Sequence, residues 1–459
     1  MHNGLNVKLD KVTLFEKGMF SKQEIKKMIV PLIIEQTLML SVGMIDTLMV
    51  SYAGESAVSG VSLVDTINTL LIFLLTALAT GGAIVAGQYL GNKNLEKSNL
   101  AAKQLLIASL GFSVIFMVIC LILNRQLLAL FFGNVEHSVM NNARSYFYVT
   151  AISFPFIAVY SSAAALFRAM GNAKTAMTNS LIMNIVNFAG NALFIYVMHM
   201  GAYGAALSTT LSRVVAAFTI MAMLRNTQLP ISVHSYKFWR IDLDTIKSIL
   251  KISIPASLEN SIFQIGRIIL TSLVAVFGTS AITANAVTGS LINVATIPGQ
   301  ALGLAITIVV AQCVGAGKFE QAILYTKYLL KQAWLYMIIL NVCTFVLLNP
   351  ILSLYHLSEE TFELSFVIML IHIIGWVSVW PISFALPNTF RASGDVKYPM
   401  MISALSMAVF RIGFAYLLTY GFGFGVLSIF VAMLMDWTFR CICFFIRWKN
   451  GKWKQYSVV

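Results

Sequence analysis

Long apolar stretches recur along the whole chain, and they restrict its fold more than any other feature. A helix needs about 20 apolar residues to cross the hydrocarbon core of a bilayer. The stretches lie near residues 28–50, 57–87, 101–123, 145–167, 175–198, 203–224, 246–276, 281–312, 328–348, 364–388, 398–420 and 424–446. Only 11% of the 459 residues are charged, too few to cover a water-facing surface. We therefore expect an all-α membrane protein with about twelve transmembrane helices.

Lysine and arginine are distributed unevenly over the connections between these stretches. Six lysines precede the first stretch: Lys8, Lys11, Lys17, Lys22, Lys26 and Lys27. Every second connection after that is also basic, whereas the connections between them carry only Arg125 and Arg144. Cytoplasmic loops of membrane proteins carry such an excess of positive charge. We therefore predict that both termini are cytoplasmic, that the number of spans is even, and that the net charge of +13 requires no nucleic-acid partner.

The two halves of the sequence resemble each other at an offset of 224 residues. The matching residues include Pro31 and Pro255, Glu35 and Glu259, Gly54 and Gly278, Gln88 and Gln312, and Gly91 and Gly315. At an offset of 223 residues, Phe167-Arg168-Ala169 matches Phe390-Arg391-Ala392. Because each half holds an even number of helices, six, both halves enter the membrane in the same direction. The internal repeat is therefore parallel, with its axis along the membrane normal.

The repeat and the charge pattern together divide the chain into five regions. These are a cytoplasmic N-terminal segment 1–27, a six-helix N-lobe 28–224, a cytoplasmic linker 225–245, a six-helix C-lobe 246–446 and a cytoplasmic tail 447–459. Transporters with such repeats bind substrate near the middle of the membrane and rock one half against the other. Pro155, Pro298 and Pro381 interrupt predicted helices and are candidate hinges for this motion.

Several short motifs occur in a characteristic order and spacing. The first helix contains the segment from Pro31 to Asp46-Thr47, and Gly-Gln-Tyr-Leu-Gly follows at 87–91. Phe-Arg-Ala-Met-Gly-Asn at 167–172 is repeated as Phe-Arg-Ala-Ser-Gly-Asp at 390–395, and the seventh helix contains the segment from Pro255 to Gln264. Over essentially the whole chain, the sequence resembles bacterial members of the multidrug and toxic compound extrusion (MATE) family. The resemblance implies cation-coupled export of drugs or metabolites by two helical lobes.

Asp46 is the leading candidate for the coupling residue. The resemblance implies this role, since the family's coupling Asp lies in the first helix. Independently, a carboxylate inside a membrane segment is costly and tends to mark an ion route. Its repeat mate is Leu270, and Asp65 in the second helix has Gly289 as its mate, so both acids are specific to the N-lobe. Some family members carry another Asp in the fifth helix, where this chain has Asn184, Asn187 and Asn191.

Other polar residues of the N-lobe allow two interpretations each. The three asparagines share one helix face, and they either contribute to the cation site or hydrogen-bond between helices. Glu35 lies on nearly the same face of the first helix as Asp46 and could relay the cation inwards. Its match with Glu259 supports a structural role equally well. We expect Arg213, near the middle of the sixth helix, to form a structural ion pair with Asp46 or Asp65.

The C-lobe offers candidates for substrate binding, namely Glu259, Gln264, His372 and Trp376. His372 would sense protons if it titrates, and otherwise it is a hydrogen-bonded packing residue. Asp436 and Arg440 lie one turn apart and are expected to pair. Basic residues outnumber acidic residues in this lobe, which favours a locked charge cluster over a cation site.

Three common nucleotide-binding and hydrolase motifs are absent from the sequence. The segment Gly315-Ala-Gly-Lys318 lacks the GxxxxGK[ST] spacing of a phosphate-binding loop, and neither HExxH nor GxSxG occurs. We therefore expect a protein without enzymatic activity or a cofactor. No metal site is predicted either, apart from Na⁺ at Asp46.

Two functional hypotheses follow from these features. The first is a bacterial inner-membrane antiporter that exports small organic compounds, cationic or amphipathic, by alternating access coupled to H⁺ or Na⁺. We expect such a protein to be a monomer surrounded by membrane lipid. The alternative is a flippase for a lipid-linked sugar precursor, with a lateral groove lined by Arg213, Arg267 and Arg411.

Overall fold

The computed structural model describes residues 15–133, 135–234 and 240–458. Within these ranges all regular structure is helical and no strand occurs. Lys8, Lys11 and residues 235–239 of the predicted linker lie outside the described residues. The predicted fold class, an all-α membrane protein with two repeated halves, is confirmed.

Six long helical segments form each lobe, and the short helices Asn124–Phe132 and Leu348–Ser353 lie between two of them in the N-lobe and the C-lobe, respectively. Those of the N-lobe are α1 (Lys22–Val50), α2 (Glu55–Gly91), α3 (Leu95–Ile122), α4 (His137–Ile152 and Phe154–Ala169), α5 (Ala173–Asn191, continued by the π-helix Ala192–Val197) and α6 (Gly201–Leu224). Those of the C-lobe are α7 (Leu243–Ala275), α8 (Thr279–Ala295 and Ile297–Gly315), α9 (Phe319–Val346), α10 (Glu359–Ser378, continued by Pro381–Ala385 and Pro387–Ser393), α11 (Lys397–Ser406, continued by the π-helix Met407–Gly413 and by Phe414–Tyr416 and Leu417–Gly421) and α12 (Leu427–Lys449). The segments thus match the predicted spans in order and number.

Most of these segments are long and apolar enough to cross a bilayer. Among the described residues ten helices meet this condition, and α4 is an eleventh if its two parts, bent by 49°, form one span. The exception is α7, which has 33 residues. It carries Glu259, Gln264 and Arg267 within its predicted span, and these residues lower its hydropathy. The polar character of α7 reflects the charge cluster that it helps to build in the C-lobe.

Three helix breaks lie at the predicted hinge prolines. Pro155 is at the start of the second part of α4, and Pro298 has the same position in α8. Pro381 begins the π-helical part of α10. Proline removes a backbone donor and collides with the preceding turn, so a helix ends or bends there. The predicted interruptions at these three positions are confirmed.

The repeated Phe-Arg-Ala motif ends α4 in one lobe and α10 in the other. The glycine that follows has a positive φ in both, 80° at Gly171 and 102° at Gly394. A side chain is strained in this region, whereas glycine adopts it freely. The Asn172 side chain then caps α5 by accepting a hydrogen bond from the Thr175 amide at 3.2 Å. The motif therefore sets a sharp turn between consecutive spans.

The lobes contact each other through a pair of repeat-related hydrogen bonds. Nε2 of Gln88 in α2 donates to the carbonyl of Ala392 at 2.7 Å. Nε2 of Gln312 in α8 donates to the carbonyl of Ala169 at 2.6 Å. Gly91 and Gly315 allow this approach, because a Cβ at either position would collide with the backbone of the opposite glutamine. These contacts lie at the basic, predicted cytoplasmic end of the helices.

Candidate functional site

Asp46 of α1 lies against Asn191 of α5. Nδ2 of Asn191 donates a hydrogen bond to Oδ1 of Asp46 at 2.5 Å, and Asp46 is buried, with 9% of its surface exposed. Asn187, one turn earlier, is within 3.4 Å of Asn191 through its Oδ1. The side chain of Asn184 instead donates to the Ser180 carbonyl of its own helix at 2.8 Å. Two of the three predicted asparagines therefore reach Asp46 or its partner, and the third does not.

Asp65 of α2 lies in the same region as Asp46. The hydroxyl of Tyr146 in α4 donates to Oδ1 of Asp65 at 3.1 Å, and Nδ2 of Asn68 lies 3.5 Å from the same oxygen. Asp65 and Asp46 lie close enough for their negative charges to repel each other. We call Asp46, Asp65, Asn68, Asn187 and Asn191 the N-lobe acidic pocket. Sequence reasoning missed Tyr146, since nothing in its local sequence sets it apart.

Arg213 of α6 is close enough for its charge to act on both acids. Its Nη1, however, donates to Oγ of Ser153 at 2.7 Å. Among the described residues it forms no ion pair within 4.0 Å, so the predicted ion pair with Asp46 or Asp65 is wrong. The break of α4 at Ser153 explains this, because it turns the serine hydroxyl towards α6. Both carboxylates of the pocket consequently lack a direct cationic partner.

The N-lobe acidic pocket also contains unused hydrogen-bond acceptors. Oδ1 of Asn68 and Oδ1 of Asn191 are buried without a donor from the described residues. Such a buried oxygen is costly to leave unpaired. An amide oxygen can accept a proton donor or coordinate a cation. The pocket therefore combines two carboxylates with two free oxygens, an arrangement suited to a positively charged ion.

Glu35 has a different partner. Its Oε1 lies 2.6 Å from Nη1 of Arg168 in the repeated Phe-Arg-Ala motif, and 1% of Glu35 is exposed. In the C-lobe, Nη2 of Arg391 lies 2.8 Å from both carboxylate oxygens of Glu259. The duplicated acid and the duplicated arginine thus form the same ion pair in both lobes. Glu35 is therefore bonded to α4 through Arg168, and it is not among the residues that form the N-lobe acidic pocket.

The remaining C-lobe candidates surround a buried charge cluster. Glu259 also accepts a hydrogen bond from Ser403 at 2.7 Å and lies 3.5 Å from Nη2 of Arg440. Oδ2 of Asp436 pairs with Nη1 of Arg411 at 3.2 Å. The predicted Asp436–Arg440 pair is therefore wrong. The π-helix Met407–Gly413 changes the helical register of α11 and brings Arg411 to Asp436.

His372 and Trp376 are packed inside the C-lobe. Nδ1 of His372 lies 2.8 Å from the Ile368 carbonyl of its own helix. The ring centroids of Trp376, Phe430 and Trp437 lie 5.5, 5.7 and 6.1 Å from that of His372. Trp376 is fully buried, whereas Gln264 on α7 is partly exposed. Of these predicted substrate-binding residues, Gln264 is the one with an accessible side chain.

A cavity lies between the lobes, next to the hydrogen bonds of Gln88 and Gln312. Its walls include Thr80, Ile84 and Arg168 from the N-lobe, and Leu304, Thr307 and Ala311 from the C-lobe. Ile84 and Thr307 stand on α2 and α8, which are equivalent in the repeat. The cavity thus occupies the interface that a rocking motion of the lobes would open and close.

This two-lobed helical architecture, with charged groups buried in each lobe, defines a multi-pass membrane transporter. The MatE family model matches residues 31–193 and 255–417, two stretches that begin 224 residues apart. The chain therefore belongs to the MatE family of multidrug and toxic compound extrusion transporters.

Individual relatives support the same assignment. An uncharacterized transporter, YisQ, of Bacillus subtilis is 24% identical, with 93% of each chain covered. A probable multidrug resistance protein, NorM, of Thermotoga maritima is 23% identical, with 95% of this chain and 94% of the relative covered.

Solved structures share the fold. An outward-facing multidrug resistance MATE family transporter superimposes with a TM-score of 0.87 at 19% identity, covering 95% of this chain and 97% of that one. A transporter of the MOP superfamily from Pyrococcus furiosus also gives a TM-score of 0.87 at 19% identity, covering 94% and 96%.

Proposed function

We propose that this protein exports small organic compounds in exchange for a cation, H⁺ or Na⁺, that binds at Asp46. The observation that carries the proposal is the contact of Asp46 with Asn191 beside unpaired amide oxygens. A buried carboxylate without a cationic partner is unfavourable in a membrane, and an incoming cation relieves this cost. Asp65 adds a second negative charge to the same pocket and increases the attraction.

The asymmetry of the lobes supports a single coupling site. Leu270 and Gly289 occupy the C-lobe positions equivalent to Asp46 and Asp65. The three buried acids of the C-lobe, Glu259, Asp395 and Asp436, are each paired with an arginine. A cation entering the C-lobe would have to displace these arginines. Binding in the N-lobe acidic pocket avoids that cost.

We assign Glu35 a supporting role in this scheme. Its ion pair with Arg168 places it beside the interlobe cavity, which Arg168 also lines. A cation that leaves the pocket towards the cytoplasm would pass the charge of this pair. The side chain of Asn184 bonds to its own helix. We therefore propose that Asn184 lines the path of the cation and does not bind it.

The substrate is proposed to be a small organic compound, cationic or amphipathic, that enters between the lobes. The name of the NorM relative, a probable multidrug resistance protein, supports small organic compounds as the substrate class. The lobes, 28–224 and 246–446, would alternate access by breaking and re-forming the contacts of Gln88 and Gln312. Gln264 is the partly exposed C-lobe residue assigned to the substrate path.

The location follows from the charge distribution and the relatives. We infer a monomer in the plasma membrane of a bacterium, surrounded by lipid, with both termini in the cytoplasm. The flippase alternative predicts a lateral groove lined by arginines. Arg213 instead donates to Oγ of Ser153, so one of the three arginines predicted for that groove is engaged elsewhere.

The test uses purified protein in proteoliposomes with imposed ion gradients. Efflux of a cationic dye should require either a proton gradient or a Na⁺ gradient, and replacing one ion at a time identifies which. Asp46→Asn should abolish the ion-dependent component, whereas Glu96→Gln, which removes an exposed acid at the start of α3, should not. Coupled efflux that survives in Asp46→Asn would contradict the proposal.

A further inference from the structure

The C-lobe concentrates positive charge where the N-lobe concentrates negative charge. Four arginines and two carboxylates meet there: Arg267, Arg391, Arg411, Arg440, Glu259 and Asp436. We call these residues the arginine cluster. It carries two more positive than negative charges, and it lies inside a membrane protein, where an uncompensated charge is costly. The excess charge calls for an anion that the described residues do not supply.

The ion pairs show where the excess lies. Arg391 donates hydrogen bonds to both carboxylate oxygens of Glu259 at 2.8 Å, and Arg411 forms an ion pair with Asp436. Arg440 is left with a longer contact of 3.5 Å to the already occupied Glu259. Within residues 15–133, 135–234 and 240–458, no carboxylate lies within 4.0 Å of Arg267. Arg267 is nevertheless near enough for its charge to repel that of Arg411.

Unpaired hydrogen-bond donors occur on two of these arginines and on two tryptophans of the C-lobe. Nε of Arg411 and Nε of Arg440 are buried without an acceptor from the described residues. The same holds for the indole nitrogens of Trp376 and Trp437. In the N-lobe acidic pocket the unpaired groups are acceptors, Asn68 and Asn191. Since a buried donor needs an acceptor, the C-lobe is complementary to an anion just as the N-lobe is complementary to a cation.

Aromatic rings hold the guanidinium groups and could also contact an apolar ligand. The guanidinium carbon of Arg440 lies 4.6 Å from the ring centroid of Phe384, and that of Arg411 lies 5.5 Å from Phe263. Phe384 in turn stacks on Trp380, with 5.1 Å between centroids. Both phenylalanines are partly exposed. Guanidinium groups fixed by such contacts bind carboxylates in a defined orientation.

The arginine cluster is accessible along α7. Arg267 is exposed, and it lies one turn beyond Phe263 on the same face of α7. Arg411 belongs to a π-helix of α11, a deviation that is frequent at functional sites. Gly266 of α7 faces the side chain of Met407, the first residue of this π-helix. An anion could therefore reach Arg267 first and then Arg411.

We propose that the arginine cluster binds the anionic group of an amphipathic organic compound, a carboxylate or sulfonate attached to an aromatic or apolar body. The proposal rests on the proposed transport function in one respect, namely that the compound is cargo. An anionic lipid headgroup has the same chemistry and is the other source of such a ligand. Compounds that carry both charges would engage both lobes, the cationic group with the N-lobe acidic pocket and the anionic group with the arginine cluster.

The test compares two dyes with the same xanthene skeleton and opposite charge, fluorescein and rhodamine 123. Equilibrium binding to the purified protein in neutral detergent is measured by fluorescence anisotropy, without an ion gradient. Arg267→Gln should weaken fluorescein binding about tenfold and leave rhodamine 123 binding unchanged. Arg267→Lys should restore most of the affinity. Lys251→Gln, which removes an exposed charge from the other end of α7, is the matched control and should change nothing.

Arg411 is tested in the double variant Arg411→Gln/Asp436→Asn, because the single change would leave the buried Asp436 without its ion-pair partner. The double variant should also weaken fluorescein binding about tenfold. Fluorescein affinity that is unchanged in both variants would overturn the proposal, and so would an equal loss for both dyes. Asp46→Asn should retain fluorescein binding. A failure of the proposed ion coupling, which is measured by efflux, can therefore be distinguished from a failure of the anion site, which is measured by fluorescein binding.

Two further arms distinguish the source of the anion. Competition by nanodiscs of phosphatidylglycerol, but not of phosphatidylcholine, would identify a lipid headgroup as the ligand. Efflux of fluorescein from proteoliposomes that depends on Arg267 would identify a dissolved anion as cargo. Either result supports an anion site at the arginine cluster. The proposal is contradicted if phosphatidylglycerol does not reduce fluorescein binding and Arg267→Gln does not weaken it.

Discussion

The carboxylate of Glu35 lies 2.6 Å from Nη1 of Arg168, and the C-lobe repeats this relationship between Glu259 and Arg391. In each lobe the pair joins the first helix to the helix that ends in the Phe-Arg-Ala motif. The glutamates are buried, and each motif ends at a glycine with a positive φ. The repeat thus preserves a charged connection between distant segments, in addition to individual residues.

Glu35→Gln should destabilise the protein by about 3–5 kcal/mol, because it leaves Arg168 without its counter-charge. Some solvent reaches Arg168, since 14% of its side chain is exposed, so we expect the lower end of this range. Unfolding in detergent, followed by tryptophan fluorescence, measures the change. The double variant Glu35→Gln/Arg168→Gln should recover part of the loss. A single variant as stable as the wild type would show that the pair contributes no net stability.

Asn191→Ala should impair ion coupling without unfolding the protein. The amide of Asn191 donates to Asp46 and is the nearest polar group to that carboxylate. A hydrogen bond to a charged group contributes about 1.5–3 kcal/mol, so its loss should lower ion-driven efflux at a fixed gradient by roughly tenfold or more. Asn184→Ala is the matched control on the same helix, since Asn184 bonds to Ser180. Equal effects of the two substitutions would argue against a special role for Asn191.

Gly91→Ala should disfavour the state in which the lobes meet at their basic ends. The added methyl group would overlap the backbone of Gln312, and overpacking of this kind costs about 1–3 kcal/mol. Gly111→Ala is the control, because no atom lies within 4 Å of a Cβ at that position in α3. Accessibility of the interlobe cavity to a thiol reagent, with Thr307→Cys as the reporter in a background lacking the five native cysteines, measures the opening. Labelling should accelerate in Gly91→Ala alone.

The repeat and the apolar pattern were sufficient to predict the architecture. Twelve helical segments, their division into two lobes and the breaks at the three prolines were readable because each depends on local sequence or on the fixed offset. The partner of Glu35 was readable in principle, since Glu35 and Arg168 both recur with nearly the same spacing. What pairs with a buried charge otherwise depends on contacts between segments far apart in the chain.

Two wrong predictions show this limit. Arg213 and Arg440 were assigned partners from depth in the membrane and from i, i+4 spacing. At the break of α4, Arg213 donates a hydrogen bond to the hydroxyl of Ser153. In the π-helix of α11, Arg411 forms the ion pair with Asp436 that was predicted for Arg440. Pro155 predicted the break of α4 but not the partner that Arg213 finds there, and the π-helix of α11 has no clear signal in the sequence. The roles of Asp46 and Asp65 remain predictions that the transport experiments address.

The C-terminal tail makes the closure of the lobes asymmetric. Gln88 and Gln312 each donate one hydrogen bond to the opposite lobe, but Oε1 of Gln88 also accepts one from the Val458 amide at 3.1 Å. The tail is anchored by Trp453, which is fully buried and stacks on Trp448 with 5.1 Å between centroids. Gln88 therefore connects three parts of the chain, namely α2, the end of α10 and the tail.

Because of this difference, Gln88→Ala should open the basic end of the lobes more than Gln312→Ala does. Removing the residues after Gly451 should abolish the difference, since both glutamines would then lose one hydrogen bond each, worth about 0.5–1.5 kcal/mol. Spin labels at Lys174→Cys and Lys397→Cys, exposed and equivalent in the repeat, report the separation by pulsed electron resonance. A larger open fraction for Gln88→Ala in the full chain, and equal fractions in the truncated chain, is the expected pattern. Equal fractions in both backgrounds would mean that the tail does not hold the lobes together.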